Sequence, residues 1–116
     1  MNRDRLLSDA KARVLEMGPD YTPAGPQTIR ALGKEALGNL EYAVWAMREA
    51  GQIADHDVVI GRKLAWVLSG GDGPPRDVTE QDILDLEREA VLSLMGTQAT
   101  QDRIAHMLKT GKPLRN

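Results

Sequence analysis

Two histidines carry much of the acid–base chemistry this sequence could offer. His56 stands between Asp55 and Asp57, and His106 follows Asp102 at a spacing of four. On a helix that spacing sets a carboxylate beside an imidazole, an arrangement that can orient a general base. It is also the spacing of an ordinary surface pair, which is the reading taken for His106. A metal site at His56 needs a further ligand at helical spacing, and position 60 is Ile. His56 therefore reads as part of an exposed helix-capping region. The chain has no cysteine, which excludes a thiol nucleophile, a disulfide scaffold and a cysteine zinc site.

Three further groupings could carry chemistry. Six acids lie between Asp77 and Glu89. Paired carboxylates do acid–base work only where burial drives their pKa values apart, and a solvated helix start explains this run more simply. The run Ser69-Gly70-Gly71-Asp72-Gly73 is glycine-rich, but it lacks the Gly-Lys-Ser/Thr of a phosphate loop and follows a helical pattern, so it reads as a helix stop and turn. From Arg103 onward there are four bases, Arg103, Lys109, Lys112 and Arg115, and no acid. This end could face a phosphate group or could complement a helix C-terminus, and both readings stay open.

The elements that must hold these groups are helices. Leu6, Ala10 and Val14 recur at helical spacing, and Gly18–Pro19 closes that segment. Pro23, Gly25 and Pro26 mark an extended connector. Ala36, Leu40, Ala43, Val44 and Met47 form the next stripe, and Gly51 stops it. The third helix is apolar on most sides, with Val58, Val59, Ile60, Leu64, Ala65, Val67 and Leu68. Thr79 with Asp82 is an approximate capping box for a fourth helix, and Thr97 caps a fifth. The expected fold is all-α: one domain over 1–116, with helices near 3–17, 30–50, 54–69, 79–95 and 97–110 and no strand.

Composition bounds the function. At 116 residues, 41% hydrophobic and 28% charged, the chain can bury a core. A net charge of −2 argues against nucleic acid as a default partner. Gln98, Gln101 and Arg103 could line the reading helix of a helix-turn-helix, but Asp102 lies among them. No apolar run approaches the roughly 18 residues that span a bilayer, and no signal-peptide pattern opens the chain, so a cytoplasmic location is expected.

Three strings add a resemblance. Leu64-Ala65-Trp66-Val67-Leu68-Ser69-Gly70-Gly71-Asp72, Asp82-Ile83-Leu84-Asp85-Leu86-Glu87-Arg88-Glu89-Ala90 and Met107-Leu108-Lys109-Thr110-Gly111-Lys112-Pro113-Leu114-Arg115-Asn116 are together similar to the C-terminal end of certain fatty-acid β-oxidation enzymes. These are the bacterial 3-hydroxyacyl-CoA dehydrogenases that carry an enoyl-CoA hydratase (crotonase-like) portion. The resemblance extends over nearly the whole chain, and the Gly-Lys-Pro-Leu-Arg-Asn ending is its most specific part.

The resemblance implies a helical end that follows the catalytic domains, used for subunit packing and for enclosing part of CoA. It makes Lys109, Lys112 and Arg115 the candidates for contact with CoA phosphates. Thr110 and Gly111 depart from the more basic ending of crotonase-like enzymes. It also implies NAD as the cofactor of the whole enzyme, but none in this chain, which has no Gly-x-Gly-x-x-Gly fingerprint. The dehydrogenase His–Glu pair and the crotonase oxyanion core are not found either, so the chain alone is expected to be inactive, as an excised domain or a shortened product. Its expected partners are those catalytic domains, an acyl-CoA and a second copy of itself, because the third helix has more apolar surface than five helices cover. The alternative class is an independent helical interaction or regulatory protein, with nucleic acid among the partners it could bind.

Overall fold

The computed structural model describes residues 5–18 and 21–116. In chain order the elements are α1 (Leu6–Met17), β1 (Thr28–Ala31), α2 (Lys34–Glu49), α3 (Asp55–Leu68), β2 (Arg76–Thr79), α4 (Glu80–Met95) and α5 (Gln98–Thr110). The fold is predominantly helical, as expected, with five helices; the second begins later than expected. Arg3, Asp4, Pro19 and Asp20, which belong to the expected first helix, its stop and the start of the connector, lie outside the described residues.

The strands are the departure. β1 pairs antiparallel with β2, setting Ile29 opposite Val78 and Arg30 opposite Asp77. Arg30 and Ala31, which fall within the helix expected near 30–50, therefore belong to a strand. Four residues are too few to show alternation, and the partner lies 47 positions away, so no local pattern could disclose the pairing. Gly33 then turns the chain at φ 56°, and α2 begins after it.

The Ser69–Gly73 loop is locked onto that turn. Gly33 N–H donates to the Ser69 carbonyl at 2.8 Å, and Lys34 N–H donates to the Gly73 carbonyl at 2.9 Å. Gly70 has φ +74°, and a Cβ there would lie 2.4 Å from the Ala31 Cβ. Ser69 is fully buried, its hydroxyl donating to the Ala65 carbonyl at 2.7 Å.

α2 packs on α3, α3 on α4, and α4 more lightly on α5. The buried apolar residues are small: Ala31, Ala65, Val67, Val78 and Ala90. Small side chains let backbones approach, and at Gly61 of α3 an added Cβ would meet Val44 of α2 at 2.9 Å. The larger apolar side chains stay outside. Leu64 and Leu68 of α3 are 56% and 63% exposed, in keeping with a third helix that its neighbours do not cover. Every described residue of α1 is exposed. The accessible surface is 9123 Å², where a compact monomer of 12.7 kDa would show about 6,200 Å².

Candidate functional site

The basic C-terminal segment is held by a polar clamp. α5 ends at Gly111, which adopts the left-handed conformation at φ 68° and reverses the chain. Thr110 steadies the reversal, its hydroxyl donating to the His106 carbonyl at 2.8 Å and accepting from Lys112 N–H at 3.1 Å. The tail then runs back along α5 to Asn116. Arg103 donates from Nε to the Asn116 side-chain oxygen at 2.7 Å and from a terminal nitrogen to the Asn116 carbonyl at 3.2 Å. The Asn116 side-chain amide donates to the Ala99 carbonyl at 3.1 Å, and His56 N–H donates to the Asn116 carbonyl at 3.2 Å.

The clamp reaches α3 through Asp57. Arg103 donates to one Asp57 oxygen at 2.6 Å, and Ala54 N–H donates to the other at 2.9 Å. The Arg103 hydrogen bond, then the Ala54 N–H, hold the Asp57 carboxyl below the usual aspartate range, and the charge of Arg115 adds to this. Arg103 is one of the four bases of the C-terminal end, but its fork is spent inside the chain. Lys109, Lys112 and Arg115 are exposed, and none is in an ion pair among the described residues. Lys109 stands in the last turn of α5, and Lys112 and Arg115 stand on the returning tail.

His56 is not the exposed capping residue that its neighbours suggested. It is 7% exposed, and its Nε2 lies 2.8 Å from the Thr100 hydroxyl. The reason is tertiary: the start of α5 covers the start of α3. Asp102 accepts from Gln98 instead of meeting His106. Gln98, Gln101 and Arg103, the side chains a DNA-reading helix would present, all donate within the chain.

The acidic run is a helix start, as read. Thr79 N–H and the Thr79 hydroxyl both donate to Asp82, which in turn holds that carboxyl below its usual range. An acid–base carboxylate needs the opposite shift. The glycine-rich loop is likewise a turn: Gly70 and Gly71 N–H donate to the Val67 and Trp66 carbonyls, so those two amides are not available to a phosphate. No group of three or more His, Cys, Asp or Glu suited to a metal ion occurs among the described residues.

A depression of about 730 Å³ lies between the connector at Ala24–Gln27 and the start of α4. A second, about 260 Å³, is an apolar groove between α2 and α3. The clamp itself left no trace in the sequence reading, since Asp57, Arg103 and Asn116 share no local spacing.

These features define a helical module with exposed apolar side chains and a basic C-terminal tail whose end is bonded through Asn116. No helix among the described residues is long and apolar enough to cross a membrane. No family model matches the chain, and no solved structure matches it. A curated relative does: the chain is 39% identical over 120 residues to a probable 3-hydroxyacyl-CoA dehydrogenase of Bacillus subtilis (strain 168). The match takes in 100% of this chain and 15% of that protein.

Proposed function

We propose that the chain is a non-catalytic helical module of a 3-hydroxyacyl-CoA dehydrogenase/enoyl-CoA hydratase-type enzyme of fatty-acid β-oxidation. The observation that carries this reading is the 39% identity running through the whole chain but only 15% of a dehydrogenase relative. NAD binding and the reacting residues then belong to other parts of such an enzyme. The module supplies packing surface and one edge for CoA. Its core of small residues and its exposed Leu84, Val91, Leu92, Met95 and Leu108 suit a body that completes its packing against a neighbour. The chemistry acts on an acyl-CoA in the cytoplasm.

Lys109, Lys112 and Arg115 are the groups that would meet CoA phosphates. They are exposed cations on a backbone that Gly111 and the Asn116 clamp hold in one course, so little ordering is needed when a phosphate binds. Calorimetric titration with CoA and with an acyl-CoA tests this. Saturable binding that Lys109→Ala/Lys112→Ala weakens about tenfold supports the edge, two lost phosphate contacts each being worth a fraction of the affinity. No binding at millimolar ligand removes CoA from the proposal. Co-purification of the chain with the remaining domains of such a dehydrogenase tests the packing role separately.

A further inference from the structure

Val59, Arg62, Lys63 and Trp66 stand at i, i+3, i+4 and i+7 of α3, so they share one face of that helix. With Glu89 of α4 they line a cleft of about 480 Å³, within the roughly 300–1,000 Å³ of small-molecule sites. Its polar groups are uncommitted. Arg62, Lys63 and Glu89 form no ion pair among the described residues, with one another or elsewhere. The Trp66 indole N–H has no hydrogen-bond partner among them, and since no buried side-chain nitrogen there lacks one, it opens to solvent. The indole is held in place from behind. Gly71 N–H donates to the Trp66 carbonyl at 2.9 Å, and a Cβ on Gly71 would stand 3.9 Å from the indole nitrogen. The Lys63 ammonium lies 5.9 Å from the centre of the Trp66 ring, a tie that is weak where water reaches it.

We propose that this cleft binds a nucleoside phosphate. The base stacks on Trp66 beside Val59, the phosphate takes Arg62 and Lys63, and the ribose hydroxyls donate to Glu89. Each part of the ligand answers a different group. A half-buried indole next to an exposed Val59 favours a flat ring over a flexible chain. Two cations without carboxylate partners suit a multiply charged oxyanion, to which both form charge-assisted bonds. A phosphate that draws Lys63 off the indole also bares the ring for the base. Glu89 argues against a plain anion and against an acidic peptide, because its charge repels both. A carboxylate is, however, a good acceptor for ribose hydroxyls. A free nucleotide and the adenosine end of CoA share this chemistry. The proposal concerns a different face from the basic tail and does not rest on the CoA reading of that tail.

The chain has two tryptophans, so Trp45→Phe leaves Trp66 as the one indole reporter. That variant is titrated with AMP, with fluorescence excited on the red edge of the indole band, where adenine does not absorb. Saturable quenching at up to millimolar AMP is the expected result. Arg62→Ala/Lys63→Ala in the same background should weaken it about tenfold, at unchanged helical content by circular dichroism. Glu89→Ala gives the sharpest comparison. Loss of a negative charge tightens the binding of a plain anion, whereas loss of the ribose acceptor weakens AMP severalfold. Tighter AMP binding in Glu89→Ala therefore overturns the proposal. So does quenching that never saturates, an AMP affinity that the double substitution leaves unchanged, or inorganic phosphate that competes as well as AMP. Titration with CoA then separates the two sources. CoA binding with the same loss in the double variant assigns the cleft to the adenosine end of CoA, and AMP binding without CoA binding assigns it to a free nucleotide; both uphold the proposal. Failure of the AMP titration leaves the dehydrogenase-module reading standing, since that reading is tested by co-purification.

Discussion

The Arg103 guanidinium on α5 donates to the Asp57 carboxylate on α3 at 2.6 Å, closing a span of 46 residues. Both side chains are mostly shielded, at 21% and 30% exposure. The same guanidinium holds Asn116 by two further bonds, so one side chain ties the helix start, the last helix and the tail.

Arg103→Ala removes all three bonds and leaves a half-buried carboxylate short of a partner. The expected loss is about 2 kcal/mol, in the range for hydrogen bonds to charged groups. Arg103→Lys should recover only part of it, because an ammonium cannot serve three acceptors in the geometry of a planar fork. Urea midpoints of the three proteins check this, and a loss below about 0.5 kcal/mol for Arg103→Ala would mean that the clamp is ornamental.

Acid should release the clamp. Asp57 is held below its ordinary value of 3.8 by Arg103 first and by the Ala54 N–H next. Near that pH the unfolded chain binds more protons than the folded one, so stability rises with pH there. The contribution is complete above about pH 4 and is lost as pH falls through the folded value. Asp57→Asn should therefore be less stable than wild type at neutral pH and lose less on acidification below about pH 4, as read by urea midpoints across that range.

Two glycines with the same backbone requirement should respond differently to alanine. Gly51 has φ +68° and open space around it, so Gly51→Ala carries only the left-handed penalty of about 1 kcal/mol. Gly70 has φ +74°, and its Cβ would lie 2.4 Å from that of Ala31. Gly70→Ala should cost at least about 2 kcal/mol more, because either the strand or the loop must move. Thermal unfolding of the pair separates backbone preference from packing.

The α4 cap should be worth about 1 kcal/mol. Thr79→Ala removes the hydroxyl that accepts from Asp82 N–H and donates to its carboxylate. Thr79→Ser should retain the stability, and equal losses in both variants would trace the effect to the Thr79 methyl group or to β2 instead. Thermal melts of the two variants beside wild type decide it.

Helix positions, their stops and the caps at Thr79 and Thr97 were legible in the sequence, because each depends on residues within four or five positions of one another. The excess of apolar surface on α3 was legible for the same reason: a helix with seven apolar residues around it has more faces than neighbours. The β1–β2 pairing, the burial of His56 under Thr100 and the diversion of Arg103 from solvent to Asp57 and Asn116 were not. Each joins residues more than forty positions apart, except the bond to Asn116, which depends on how Gly111 reverses the tail. Local periodicity thus determined the helices and the apolar stripe of α1, whereas only the packed chain decided that this stripe is exposed and which charged groups are consumed internally. That decision leaves Lys109, Lys112 and Arg115 outside, because a charge is retained in the interior only where geometry supplies its partner.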